Sequence, residues 1–373
     1  MLRVLHVGKF YPPAAGGMER VVQMLCAAAP DRIESRVLAF NCHRRTVDEI
    51  VDGVCVKRVA TWGAAGSVQL APSLASHLRR ADADVVVLHE PNPWALLSWT
   101  LARVRVPLVV WFHSEVVRPA LQYRLFYAPL VRAVYGQARR FLVSSPPLAR
   151  HARALRPYRD RITVIPFGID ATSAEDGERV RHRALEIRAQ DERPRILFAG
   201  RLVAYKGVDV LIRAVAPLSV SLTVVGDGPM RQAWSAMAAR EAGAARITFT
   251  GRVSDDELRA QLRACDLFVL PSVTRAEAFG VVQLEAMVRG KPVVSTALPS
   301  GVPWVNRDGE TGLVVAPGDA AALGGAIARL LGDPSLRAAL GAAARERVER
   351  EFTERAMGDR FVHVCLDAAE SGT

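Results

Sequence analysis

No apolar run in this chain of 373 residues approaches the ~18 residues that a membrane-spanning helix requires. The sequence is most apolar around residues 106–112, where Arg103 and Arg105 interrupt it early. The N-terminus offers Arg3 and a short apolar stretch before His6 and Lys9, which reads as a first strand and not as a secretory signal. Cysteines are few, odd in number and scattered: Cys26, Cys42, Cys55, Cys265 and Cys365, with no Cys-x-x-Cys pair. That pattern argues against a disulfide framework or a zinc site and makes a reducing cytoplasm the expected compartment. Lysine is nearly missing: Lys9, Lys57, Lys206 and Lys291 are the only four among 49 basic residues. Arginine abundance is therefore a habit of the chain, and a single arginine carries little information. Short repeats and low-complexity tracts are absent as well.

What is present is an ordinary folding composition. Apolar residues make up 50% and charged residues 23%, which excludes disorder and collagen-like character. At ~100–200 residues per domain, the length implies two or three domains. The net charge of +11 is unevenly placed. Residues 1–187 hold 26 Lys/Arg against 16 Asp/Glu, whereas residues 188–373 hold 23 against 22. A basic first half should attract something anionic, such as nucleic acid, a lipid surface or phosphates.

Short apolar runs alternate with longer helical patterns along the whole chain. Residues 3–7, 36–40, 54–59, 84–89, 107–112, 140–144 and 162–165 read as strands, with helical stretches at 18–29, 72–80 and 93–103 between them. Fully apolar runs such as 85–88 suit a sheet covered on both faces, and the alternation predicts a parallel, doubly wound domain. Residues 171–194 are polar and read as a linker plus a surface helix. The grammar then restarts with strands at 195–199, 221–225, 246–250, 267–270, 292–296 and 313–315. Helical segments at 208–216, 230–242, 255–264 and 279–289 separate these strands, and 319–350 reads as two helices broken at 332–334. Two such domains in tandem place a ligand cleft at the carboxyl ends of their sheets, fed by loops from both.

The chemistry-bearing motifs fall on those loops. Gly200-Arg201-Leu202 and Lys206-Gly207 follow the strand at 195–199, so an Arg fork and a Lys point charge can bracket one polyanion such as a diphosphate. The plain alternative is two solvated loop charges. Glu277-Ala278-Phe279-Gly280-Val281 follows the strand at 267–270, with Glu285 about two turns into the next helix. The first carboxylate can accept from sugar hydroxyls, the second can bind the two hydroxyls of a ribose, and the helix start faces an anion. A capping Glu plus a surface Glu is the alternative. Gly16 and Gly17 precede a helix and let backbone approach a ligand, or form an ordinary turn. His113 ends the strand at 107–112, where it either serves a ligand or is structural. Asp82-Ala83-Asp84 has the spacing of a metal-binding D-x-D but precedes its strand, which places it at the wrong edge of the sheet. Gly226-Asp227-Gly228-Pro229 is not a nicotinamide fingerprint, which counts against a dehydrogenase.

In this order the motifs resemble the retaining glycosyltransferases of GT-B architecture known as family 4, including bacterial surface-polysaccharide sugar transferases. The likeness covers nearly the whole chain. Glu277 and Glu285 match its E-x7-E pair and Gly200-Arg201 with Lys206-Gly207 its diphosphate clamp. Tyr11-Pro12-Pro13 with Gly16-Gly17-Met18-Glu19-Arg20 matches its glycine loop. Ser300-Gly301-Val302-Pro303 and Gly309-Glu310-Thr311-Gly312-Leu313-Val314 are also typical of it.

The resemblance implies an α/β protein of two doubly wound Rossmann-like domains facing across a cleft. It implies an acceptor-side domain over 1–187, joined by the C-terminal helix 353–373, and a nucleotide-sugar-binding domain over 188–352. It implies a hexosyltransferase with no cofactor and no metal. Its donor would be a nucleotide-diphospho-sugar, GDP-mannose ahead of a UDP-sugar because the opening and residues 301–306 resemble mannosyltransferases. Its acceptor would be a glycan or polyprenyl-linked glycan. The implied catalytic residues are His113, Glu277, Arg201 and Lys206. The implied donor contacts are Gly16, Gly17, Arg201, Lys206, Arg252, Val253, Glu277, Ala278, Phe279, Gly280, Val281 and Glu285, those at Arg252-Val253 reaching the base largely through backbone.

Residues 116–161 carry ten arginines and one acid, Asp160. Interleaved Leu121, Leu125, Phe126, Leu130, Val134 and Tyr135 form an apolar stripe, so the stretch reads either as a surface for anionic membrane or as a core-facing helix with a solvated face. The membrane reading would make the protein peripheral on the inner face of the cell membrane. No signal for nucleic-acid binding accompanies the charge. A sugar-nucleotide epimerase or hydrolase on the same scaffold, and a non-catalytic nucleotide-sugar binder, are the competing functions.

Overall fold

Strands made almost wholly of Val, Leu, Ile and Phe have no solvent face, so they belong inside parallel sheets with helices on both sides. The computed structural model, which describes residues 1–14, 16–65, 68–115, 127–170, 172 and 175–370, has two such sheets. It divides into two units, Met1–Gly168 with Glu354–Thr373, and Ile169–Thr353.

In the first unit the strands are β1 (Leu2–Val7), β2 (Ile33–Phe40), β3 (Val47–Val51), β4 (Val54–Val59), β7 (Val85–Glu90), β8 (Leu108–Phe112), β9 (Ala138–Val143) and β10 (Ile162–Val164). Their order is β10-β9-β8-β7-β1-β2-β4-β3, and only β3 runs antiparallel to its neighbour. Two short strands, β5 (Ala64–Ala65) and β6 (Val68–Gln69), form a separate hairpin. Leu38, Phe40 and Val59 belong to one buried apolar cluster, with Leu5, Val7, Val86, Leu88 and Val110, and Val37, Ala39, Val54 and Val56 to a second, so β2 and β4 send alternating side chains to the two faces of the sheet. Helix Glu354–Glu370 lies against β7, β8, β9 and helix Gly17–Ala27, burying Met357, Phe361 and Cys365. The chain reverses its strand order at β1 and β7, which makes their carboxyl ends the ligand edge.

The second unit has β11 (Arg195–Ala199), β12 (Ser221–Val225), β13 (Arg246–Gly251), β14 (Leu267–Leu270), β15 (Val293–Thr296) and β16 (Gly312–Val315), all parallel, in the order β13-β12-β11-β14-β15-β16. Its switch point lies between β11 and β14.

The second unit begins at Ile169, earlier than the expected 188. Packing is the reason. Helix Glu178–Ala189 buries Val180, Ala184 and Ile187 against Ala260 and Ala264 of helix Asp255–Ala264, so it is not only a surface helix. The buried Asp176 carboxylate meets Arg289 at 3.0 Å and Arg263 at 3.6 Å, both in this unit.

The structure also narrows the reading of the apolar stripe and places the Asp82-Ala83-Asp84 turn at the expected edge. Arg118, Arg124, Leu121, Leu125 and Phe126 lie outside the described residues. Of the remaining stripe, Val134 and Tyr135 are fully buried in the core and Leu130 packs against it, so this part faces inward. Arg132, Arg139, Arg150, Arg153, Arg156 and Arg159 are exposed, and only their charge is available to a partner. Among the described residues no helix is long and apolar enough to cross a membrane. Asp82 and Asp84 are taken up by ion pairs with Arg3, the Asp84 pair at 2.7 Å, at the amino-terminal edge of the sheet.

Candidate active site

Two loops converge at the carboxyl edge of β11 and β14. After β11 the chain passes Gly200, Arg201 and Leu202 and makes a single 3-10 turn, Ala204–Lys206. Gly207 ends that turn at φ +65°, where a Cβ would run into the Pro271 carbonyl and the Val273 side chain of the loop after β14. The Val273 N–H donates to the Tyr205 carbonyl at 2.8 Å, so the two loops are fastened together. From the other side, the Gly226-Asp227-Gly228 turn holds the Arg201 loop: Gly200 N–H donates to Val225 at 3.0 Å and Leu202 N–H to Asp227 at 2.9 Å. That motif therefore serves packing.

This fastening brings Lys206 and Glu277 into a buried ion pair, Nζ to Oε2, with the residues 8% and 7% exposed. Ser272 Oγ donates to the same Oε2 at 2.9 Å. The Oε1 of Glu277 takes no hydrogen bond among the described residues and remains an acceptor. Burial alone would lower the Lys206 ammonium, but the adjoining Glu277 carboxylate outweighs it and holds the pKa above the ordinary lysine value. Lys206 is thus charged throughout the physiological range. Arg201, by contrast, is exposed on the same loop.

Beyond Glu277, Ala278 carbonyl accepts from Gly301 N–H at 2.7 Å, and Phe279 packs between Trp304 and Phe352. Gly280, at φ +74°, turns the chain into helix Val281–Met287, which carries the half-buried Glu285. Arg252 is exposed and Val253 half-buried just beyond β13, two strands away from β11.

In the first unit, His113 follows β8, 8% exposed, with its N–H donating to the Glu90 carbonyl at 3.0 Å. Its side chain is the last of three: His6 Nδ1 stands 3.1 Å from His89 Nε2, and His89 Nδ1 stands 3.0 Å from His113 Nε2. Burial lowers His6 and His113 to about 3, and burial, with the neighbouring His113 and His6, holds His89 well below the ordinary value. All three are neutral at pH 7. Beside them Glu90 is fully buried, its carboxyl pushed up to about 8 by burial although Tyr127 Oη (2.6 Å) and Asn92 N–H (3.0 Å) both donate to it. Gly16 and Gly17 open helix Gly17–Ala27, and a Cβ on Gly16 would collide with the Glu19 carboxylate, so an acid already sits at that helix's positive end.

The structure thus joins Lys206 with Glu277 directly and with Arg201, Ala278, Phe279, Gly280 and Val281 by loop. His113, Gly16 and Gly17 belong to the first unit. Sequence reasoning missed Ser272, whose only signal is a hydroxyl just past an apolar strand at a ligand edge. It also missed His6 and His89, which are distant from His113 along the chain.

The profile described as Glycosyltransferase Family 4 matches residues 15–173, and that described as Glycosyl transferases group 1 matches residues 184–347. D-rhamnosyltransferase WbpZ of Pseudomonas aeruginosa is 32% identical over 358 residues, 94% of this chain and 92% of that protein. The chain belongs to glycosyltransferase family 4. O-antigen chain mannosyltransferase C of Escherichia coli is 29% identical over 378 residues, 99% and 100% of the two chains. The crystal structure of Anabaena Alr3699/HepE in complex with UDP and glucose superposes with a TM-score of 0.78 at 22% identity, covering 98% and 99%, and shows the shared GT-B fold. This glycosyltransferase therefore has two Rossmann-like domains whose sheets are parallel but for the edge strand β3.

Proposed function

We propose that this glycosyltransferase moves a sugar from a nucleotide-diphospho-sugar, with GDP-mannose the favoured donor, to a glycan or polyprenyl-linked glycan in surface-polysaccharide synthesis, retaining the anomeric configuration and using no metal. The observation that supports it most is the convergence of Lys206, Glu277 and Ser272 at the switch point of the second sheet, with Arg201 exposed on the same loop. A leaving nucleoside diphosphate gathers negative charge as the glycosidic bond breaks. Cationic donors fixed in advance stabilise that charge without reorganising, and Arg201 and Lys206 supply it in place of a metal. Glu277 Oε1 accepts from a hydroxyl of the sugar, Glu285 from the ribose, and His113 donates to the transferred sugar. The acceptor attacks from the face the diphosphate leaves, and the departing phosphate takes its proton, which accounts for retention. GDP-mannose is favoured because the E. coli relative is named an O-antigen chain mannosyltransferase.

The deciding experiment is a thermal-shift panel of nucleotides and nucleotide-sugars, followed by incubation of the best donor with and without lipid-linked glycan in EDTA. A donor that binds only the folded state raises Tm in proportion to RT ln(1 + [L]/Kd). GDP-mannose stabilisation with acceptor-dependent GDP release in EDTA supports the proposal. Donor consumption without acceptor would favour the epimerase or hydrolase reading, and donor binding without turnover the non-catalytic one.

A further inference from the structure

The three histidines stand on adjacent strands in a diagonal. His6 on β1 pairs in register with Val87 of β7, and His89 lies two residues further along the same face. His89 in turn pairs with Trp111 of β8, and His113 lies two residues beyond that. The ring centroids stand 5.3 Å apart at both steps with the planes 25° and 26° from parallel, so the rings meet edge to edge through their nitrogens. Trp111, Phe167 and Phe361 surround them and exclude water. His6 and His89 are completely buried, and His113 emerges at the ligand edge.

Proton counting makes this a directed chain. Three neutral imidazoles carry three protons, and each of the two N···N contacts holds one. The third proton must sit at an end. At one end is His6 Nε2, buried and without a partner among the described residues. The nearby Phe361 ring is tilted only 31° from the His6 plane, so an N–H there would not point at its face. A proton on that atom would be a buried donor with no acceptor, at a cost of about 1–3 kcal/mol. At the other end is His113 Nδ1, which has no protein partner among the described residues and lies where a ligand would bind.

We propose that His6 and His89 are positioning residues that lock His113 as the Nδ1–H tautomer, aiming a neutral donor at the sugar. The direction runs from His6 Nδ1–H to His89 Nε2, from His89 Nδ1–H to His113 Nε2, and out through His113 Nδ1–H. The consequence for catalysis rests on the sugar-contacting role given to His113 above. The locked tautomer does not rest on it.

The test is therefore spectroscopic and needs no substrate. The full chain, labelled with ¹⁵N at its histidines, is examined by long-range proton–nitrogen correlation, the His113 signals being identified by their loss in His113→Ala. The expected result is protonation at Nδ1 and a bare Nε2. Protonation of His113 at Nε2 overturns the proposal, as does rapid exchange between the two forms. His6→Asn keeps an amide donor where Nδ1 stands and should preserve the pattern, while His6→Leu should scramble it; an unchanged His113 spectrum in His6→Leu also overturns it. With GDP-mannose as the probe, His6→Leu should reduce GDP release about tenfold to a hundredfold, the range for removing a partner that orients a functional imidazole. Full activity in His113→Ala would defeat the sugar-contact role while leaving the tautomer result standing.

Discussion

Replacing Glu277 by Ala takes away the only negative charge in contact with Lys206 among the described residues, and Lys206 is 8% exposed. An ammonium left in that position has lost both its hydration and its partner. Breaking a buried pair from one side destabilises by about 3–5 kcal/mol. For a unit of this size each kcal/mol moves Tm by roughly 2–4 °C, so the drop should be about 6–20 °C. Lys206→Met with Glu277→Gln removes both charges and leaves an amide that still accepts from Ser272, so most of that loss should be recovered. The pair is therefore strongly non-additive, and a double-mutant cycle in urea, read on all four proteins, measures the coupling directly. Arg201 behaves differently. Being exposed, it should change stability by no more than about 0.5 kcal/mol when replaced by Ala. Its removal should nevertheless slow GDP release about 10²–10³-fold, as for other preorganised groups facing developing charge. Strict additivity of Lys206 and Glu277, or an Arg201→Ala protein with full activity, would refute the reasoning.

Stability should peak near pH 6.5, measured by thermal unfolding across a buffer series. Below the ordinary histidine value of 6.5, His6, His89 and His113 stay neutral when folded and take up protons on unfolding, so each lowers stability by about 1.4 kcal/mol per unit of falling pH. Glu90 works in the opposite sense: protonated in the fold up to about 8 and ionised at 4.5 and above when unfolded, it loses its contribution as pH rises through that range. A steady rise in stability through pH 8 would contradict the Glu90 assignment, and a flat profile below pH 6.5 the histidine assignments. Binding to anionic vesicles, if measured by co-sedimentation, should fall in high salt, and Val134 and Tyr135 should add no apolar part to it because they are committed to the core. Salt-insensitive binding would show an apolar contact instead. Asp82→Asn should leave GDP release unchanged with or without EDTA, since Asp82 pairs with Arg3 away from the ligand edge; a metal-dependent loss would reverse that view.

The parallel strands were legible because each is a run of apolar residues bounded by polar ones, and their predicted limits fall within two or three residues of the observed ends. β3 was not legible. It is an edge strand whose Asp48 and Glu49 face Lys57 and Arg58 across the β4 pairing, so its charges mask the alternation. Helix Glu178–Ala189 was read as a surface element because its contact with helix Asp255–Ala264 is made largely through alanines, which give little hydrophobic signal. The loops with Lys206 and Glu277 were visible as motifs following apolar strands. Their ion pair was not, since residues 71 apart meet only through the β11–β14 pairing. The histidine diagonal is the extreme case: each ring sits inside or beside a strand at an unremarkable position, and only strand order makes them neighbours.

The scarcity of lysine gives Lys206 a sharper meaning. A chain that uses arginine at nearly every basic position keeps lysine where two loops close on each other. A Cβ placed on Gly200 would stand 3.6 Å from Lys206 Nζ, and the ammonium is held between that backbone and Glu277. A compact point charge fits there, whereas a planar guanidinium presents a wider fork and must displace the Gly200 backbone. Lys206→Arg should therefore cost about 1–3 kcal/mol through overpacking despite conserving charge. It should also lose most GDP release from GDP-mannose, because the displaced loop carries Arg201 with it. If Lys206→Arg is as stable and as active as the parent, the site asks only for positive charge, and the close fit of these two loops has no part in the chemistry.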